Sequence, residues 1–172
     1  MQVIESYLSE KESLFVILML SVLVRSLTGL SAYSGESSPP HFGDFECHRF
    51  WMETTHSYSP SLWYVDGAHM NTSYWPIDYP PLCAYAHWAM AKVVNVTDPK
   101  ALQVGESYGF ESGLLRALMR NALILLELIV MVPAVMKLLV LLFPKQSTTT
   151  RRLYLFAYLM MPCLIYVDHG HF

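Results

Sequence analysis

Three clusters of apolar residues, 14–30, 121–143 and 153–167, constrain this chain more than any other feature. A soluble core draws its apolar residues from one face of each element, whereas runs this dense suit the interior of a bilayer. Composition agrees: 53% of the residues are apolar and 15% charged, an imbalance that soluble domains rarely carry. Spanning takes about 20 residues, with ~17 as a lower limit, so the second run is long enough outright. The third needs flanking residues or a tilted helix in a thinned bilayer. The expected class is an all-α polytopic membrane protein with three transmembrane helices.

Orientation follows from the Lys and Arg of short connections, and Lys145, Arg151 and Arg152 put segment 144–152 in the cytosol. The tail 1–13 is then cytosolic, while the long segment 31–120 and the residues 168–172 face the other compartment. The first run would be a cleaved signal peptide only with a basic start and a small-residue cleavage site. Its tail instead carries Glu5, Glu10 and Glu12, Arg25 interrupts its apolar stretch, and no A-x-A pattern follows; a retained span is expected.

Segment 31–120 holds all four tryptophans and most of the acidic residues. A mildly acidic surface argues against nucleic acid. Aromatic faces and carboxylates suit carbohydrate better, since rings stack on sugars and carboxylates accept hydroxyl hydrogen bonds. Pro and Gly punctuate the segment into short elements. Spacing predicts a helix over 43–55 and a second over 82–94, behind Pro80-Pro81. The second is too short to span; lying in the membrane interface and packing under the loop are both compatible with its pattern. Cys47 and Cys83 share the segment and are close enough in kind to pair or to remain free thiols, with no metal-type spacing. Two N-glycosylation triplets, starting at Asn71 and Asn95, fall on the same side of the membrane.

Several residues invite a chemical reading beside a structural one. Glu46, Arg49 and Glu53 are spaced for i,i+3 and i,i+4 ion pairs, which on a solvated face contribute only a few tenths of a kcal/mol. Asp44 follows a turn glycine at a helix start, so it serves either as an N-cap or as a base. Asp78, between Trp75-Pro76 and Tyr79-Pro80-Pro81, lies either in a plain turn or on a rigid binding edge. His169 and His171 beyond the third run are either surface hydrogen-bonding groups or ligands, although their spacing is not a helical metal pair. Arg25 inside the first run is costly and so a functional candidate, or it snorkels to the interface.

The motifs Tyr33-Ser34-Gly35, His41-Phe42-Gly43-Asp44-Phe45-Glu46, Trp51-Met52-Glu53, Asp78-Tyr79-Pro80-Pro81, Gly109-Phe110-Glu111-Ser112 and Asp168-His169-Gly170-His171-Phe172 together resemble one family. It comprises the dolichyl-phosphate-glucose-dependent α-1,3-glucosyltransferases of the endoplasmic reticulum, and the similarity is greater to the branch adding the first glucose than to that adding the second. The resemblance implies the N-terminal part of a GT-C-type transferase whose large luminal loop, 31–120, carries the catalytic aspartate at Asp44. It implies inverting, metal- and cofactor-independent transfer from dolichyl phosphate glucose to the dolichyl-diphosphate-linked Man9GlcNAc2 oligosaccharide. Substrate-binding roles are then expected of Glu46, Arg49, Trp51, Trp75, Asp78, Tyr79, His169, His171 and Arg25, with Arg25 or Arg49 near the donor phosphate.

The helix after Asp44 departs from the family's usual Glu-Ala-Gln-Arg-His-Trp, reading Glu46-Cys47-His48-Arg49-Phe50-Trp51. The family pattern also continues past His171-Phe172, so the resemblance implies a fragment of roughly the first third, inactive alone. A noncatalytic membrane protein that binds lipid-linked sugar or a partner is the alternative from another class.

Overall fold

The computed structural model describes residues 10–67, 71 and 73–170. Every element among them is helical, and they divide into two units, 10–31 with 120–170, and 32–119.

In the first unit, α1 (Glu10–Thr28) is followed in space by the C-terminal part of a 30-residue helical run, Gly113–Leu142. That run comprises α4 (Gly113–Leu126), a π-helical turn Glu127–Met131, and α5 (Val132–Leu142). The wide turn has a local cause. Pro133 has no N–H for the carbonyl four residues back, and the ladder shifts so that Val132 N–H bonds the Glu127 carbonyl. Among the described residues, this run alone is long and apolar enough to cross a membrane. It starts well before the expected 121–143. The other two expected spans take different forms. α1 has 19 residues, but Lys11, Glu12 and Arg25 interrupt its apolar character. The third run is broken into α6 (Thr148–Leu159) and α7 (Pro162–Gly170). There Pro162 cannot donate to the Tyr158 carbonyl, which takes the Met161 N–H at 3.1 Å instead. Ser147 caps α6, its hydroxyl accepting from Thr150 N–H at 3.1 Å.

Val132, Leu155 and Leu159 form the centre of this unit, with Leu14, Ile17, Leu18 and Leu128 against them. Arg25 is 1% exposed among these helices. It is neither snorkelling nor unpaired: its guanidinium makes a two-pronged ion pair with Glu127, one arm at 2.6 Å. It also donates to Ser21 Oγ at 2.7 Å and to the Leu159 carbonyl at 2.9 Å. The π turn thus carries the acid that neutralises the arginine.

The second unit is organised around α2 (Gly43–Ser57), buried on nearly every side. α3 (Pro81–Thr97) packs on it through Ala84, Ala91 and Val94, small residues that allow close approach. Of the two placements open to this helix, packing under the loop is therefore realised on one face, while Tyr85, Trp88 and Val93 are exposed on the other. Phe45 and Met52 of α2 face Ala91, Val94 and Leu102; Phe50 and Trp51 face Trp63, Ile77 and Ala84. The entry to α2 is set by a close crossing of two backbones. Gly35 (φ 78) and Gly43 (φ 64) lie where a Cβ would sit 2.2 Å from Phe42 C and 2.4 Å from the Ser34 carbonyl oxygen, respectively. Only glycine satisfies both the left-handed backbone and that approach.

Candidate functional site

Asp44 stands in the first turn of α2 but is not its cap. The cap position is Phe42, in the left-handed region, whose side chain makes no capping hydrogen bond. The capping reading of Asp44 is therefore replaced by a carboxylate near the positive end of the helix dipole.

One turn on, the structure corrects the picture of a solvated charged face. Arg49 is 0% exposed, Glu46 1% and Glu53 3%. Arg49 Nε and Nη2 meet the two oxygens of Glu46 at 2.6 and 2.7 Å, a bidentate pair. Nη1 donates to Glu53 Oε2 at 2.7 Å, the Ala101 carbonyl at 2.8 Å and Ser107 Oγ at 2.7 Å. Burial disfavours the guanidinium charge, but the hydrogen bonds and charge of Glu46 and Glu53 outweigh it and hold the Arg49 pKa above its ordinary value. The predicted i,i+3 and i,i+4 pairs exist, yet inside the unit, where partners remote in sequence satisfy them.

A cavity of about 300 Å³ opens beside the other face of α2. Asp44, Trp51, Trp75, Asp78 and Tyr79 line it, so five of the residues singled out from the sequence are brought together. Glu46 and Arg49 are not among its walls. Glu46 acts behind them, accepting from the hydroxyl of Tyr74, a wall residue, at 3.0 Å. Burial first and then Glu46 raise the Tyr74 pKa, so its proton stays in that bond at neutral pH. Trp51 is 2% exposed, with Nε1 donating to the Pro76 carbonyl at 3.0 Å; it braces the wall that holds Asp78. Tyr79 is 54% exposed and presents a more accessible ring.

Three wall or support residues were not anticipated as site residues: Cys47, His48 and His87. His48 Nδ1 lies 2.7 Å from His87 Nε2, and His87 Nδ1 lies 2.8 Å from the Cys83 carbonyl. Burial, then repulsion from His87, pull the His48 pKa down to about 3, with Asp44 opposing. Burial likewise lowers His87. Both rings are therefore neutral at pH 7. The departure of residues 47–48 from the family pattern was the only signal of His48 in the sequence; His87 offered none. Cys47 and Cys83 are free thiols on α2 and α3, and burial raises both pKa values, which makes them poor nucleophiles.

Arg25 belongs to the other unit and is bonded as described above. His171 lies outside the described residues, as does the side chain of His169 in the last turn of α7. Among the described residues no group of three or more His, Cys, Asp or Glu is arranged to hold a metal ion.

Residues 15–172 match the ALG6, ALG8 glycosyltransferase family. The chain is 37% identical to a probable dolichyl pyrophosphate Man9GlcNAc2 alpha-1,3-glucosyltransferase of Dictyostelium discoideum, over 91% of this chain and 30% of that protein. It is 35% identical to the dolichyl pyrophosphate Man9GlcNAc2 alpha-1,3-glucosyltransferase of Gallus gallus, over 95% of this chain and 32% of that protein. The Saccharomyces cerevisiae protein of the same name is 35% identical, over 92% of this chain and 29% of its own length. The chain thus spans about a third of the length of the curated relatives it matches.

Proposed function

Since the chain belongs to the ALG6, ALG8 glycosyltransferase family, we propose that it carries the acceptor-side catalytic loop of an enzyme that moves glucose from dolichyl phosphate glucose to the lipid-linked Man9GlcNAc2 oligosaccharide. The reaction belongs to the luminal face of the endoplasmic reticulum membrane, with loop 31–120 in the lumen and helices crossing the bilayer near 14–30, 121–143 and 153–167.

The observation that carries this reading is the cavity beside Asp44. Its described walls include two carboxylates and four aromatic rings, and no Lys or Arg. Such a lining suits a neutral, hydroxyl-rich sugar and repels a phosphate. Asp44 takes the proton of the acceptor hydroxyl as its oxygen attacks the anomeric carbon of glucose through an oxocarbenium-like transition state. The bond from that carbon to the dolichyl phosphate oxygen breaks, the phosphate leaves as an anion, and attack from the opposite face inverts the configuration. No metal is required for proton removal by a carboxylate. Asp78 orients hydroxyls, and Trp75 and Tyr79 stack on rings. Since Arg25 and Arg49 already have buried carboxylate partners, the phosphate is assigned to cations other than these two.

The test is glucose transfer in microsomes by the full-length enzyme bearing this loop, with Asp44→Asn. Loss of a positioned base lowers turnover by about 100-fold or more. Near-normal kcat in the variant at wild-type abundance overturns the assignment.

A further inference from the structure

Two motifs singled out in the sequence, Tyr33-Ser34-Gly35 and Gly109-Phe110-Glu111-Ser112, are not among the described walls of the Asp44 cavity. They meet each other instead. Glu111 Oε1 accepts from Ser37 N–H at 2.7 Å, and its carboxylate also takes a hydrogen bond from the Tyr33 hydroxyl. Burial first, then Glu111, raises the Tyr33 pKa, so that hydroxyl stays protonated and donates at neutral pH. Ser37 stands at φ 54, where L side chains are rarely found, and the charge-assisted bond to its N–H holds the turn there. The segment that carries Glu111 is itself anchored. Ser112 Oγ donates to Asp98 Oδ2 at 2.6 Å and accepts from Leu115 N–H at 3.2 Å. Phe110 N–H donates at 2.9 Å to the carbonyl of Ser107, whose hydroxyl lies in the Arg49 network.

The turn held by Glu111 is the surface on which the start of α2 rests. Tyr33 stacks on Phe45, the residue after Asp44, with ring centroids 4.3 Å apart. The backbone of Gly35 crosses that of Phe42 and Gly43 so closely that neither glycine has room for a Cβ, and the Ser38 carbonyl accepts from Phe42 N–H at 3.0 Å. The ring of Phe42 lies in turn against Gly109, where a Cβ would stand 2.4 Å from it. Residues 42, 43 and 45 are thus each held by the turn 33–38 or by Gly109, and Asp44 is carried between them. A carboxylate that removes a proton has to be placed closely, since about 1 Å of misplacement can cost about 100-fold in rate. We infer that Glu111 is a positioning residue for Asp44, acting through Tyr33 and the turn 33–38. This deepens the glucosyltransferase reading and rests on it.

The experiment measures kcat, both KM values and abundance in microsomes for the full-length enzyme with Glu111→Ala, Glu111→Gln and Tyr33→Phe, each also combined with Asp44→Asn. Glu111 is exposed, so water satisfies the Ser37 N–H that Glu111→Ala releases, and abundance should stay near that of the parent. Its kcat should fall about tenfold or more, with the acceptor KM within about twofold. The glutamine carbonyl still accepts from Ser37, so Glu111→Gln should keep kcat within about threefold of the parent. Tyr33→Phe keeps the ring on Phe45 and loses only the hydroxyl; its kcat should fall about threefold. On the Asp44→Asn background none of these should lower turnover further by more than about twofold, because a base that is gone cannot be misplaced. Equal losses in both backgrounds overturn the inference, as does an unchanged kcat in Glu111→Ala. A drop in abundance with kcat per enzyme unchanged assigns Glu111 to folding alone and overturns it too. If Glu111→Ala does not accumulate, Tyr33→Phe on the two backgrounds decides. If the unaltered enzyme transfers no glucose the glucosyltransferase reading fails, and if Asp44→Asn transfers it normally the assignment of Asp44 fails; either result takes this inference with it.

Discussion

Arg49 shows how a short sequence pattern can be legible in its pairing and silent on its meaning. The spacing of Glu46, Arg49 and Glu53 announced ion pairs within one helix, and those pairs form. Their burial was not readable, because Ser107, Ala101 and Tyr74, which complete the network, lie 58, 52 and 28 residues from the groups they bond. Burial changes the magnitude at stake from tenths of a kcal/mol to several. Removing one partner from a dry network strands the others, at a cost of about 3–5 kcal/mol. Arg49→Met should therefore lower the unfolding temperature of the detergent-solubilised full-length protein sharply, whereas adding Glu46→Gln and Glu53→Gln to it should recover much of the loss. An Arg49→Met protein as stable as its parent would remove the network from the account of the fold. Asp44 and Trp75 drew attention in the sequence because each adjoins a glycine or a proline, Gly43 and Pro76, and Asp78 because a proline lies two residues to either side of it; that the three line one cavity was not legible there.

At the scale of elements, α2 and α3 are joined through the two histidines, 39 residues apart, a pairing no local pattern encodes. It makes their association sensitive to acid. His48 is held at about 3 in the folded chain against 6.5 unfolded. Above pH 6.5 both states are neutral and the pair contributes no pH dependence. Below it the unfolded state binds protons that the folded state refuses, so stability falls as pH drops from 6.5 toward 3. At pH 5 the loss from His48 is about 2 kcal/mol, with His87 adding in the same direction. Hydrogen exchange over α2, corrected for intrinsic rate, should show weaker protection at pH 5 than at pH 7 in the parent and a smaller difference in His48→Gln. Equal differences in both would refute it. Pro162 marks the opposite case. The residue that splits the third apolar run was visible in the sequence, and the apolar content around it led to one span being expected where two helices form.

For the whole molecule, the membrane class was written in the density of apolar residues, while the arrangement of charges inside the helices was not. Arg25 and Glu127 are 102 residues apart, and each alone reads as an expensive intramembrane charge. Their pairing, with Ser21 and the Leu159 carbonyl, explains why both are tolerated. Glu127→Leu should leave an uncompensated buried cation and reduce the steady-state amount of membrane-inserted protein, and the double variant Arg25→Met with Glu127→Leu should restore it. Quantitative blotting of carbonate-extracted membranes distinguishes this from a functional role, in which the double variant would accumulate and lack the proposed glucosyl transfer.

The two carboxylates in the cavity wall also bear on how the protein would be inhibited. A mimic whose hydroxyls are methylated or replaced by fluorine keeps the outline of a sugar but loses the hydrogens that the carboxylates of Asp44 and Asp78 would accept. A mimic bearing an ammonium group adds donors and is drawn by Asp44 and Asp78. Competition assays against the proposed oligosaccharide acceptor should therefore rank inhibitors by the hydrogens they offer before their shape, and a capped mimic that competes as well as its parent would contradict that order.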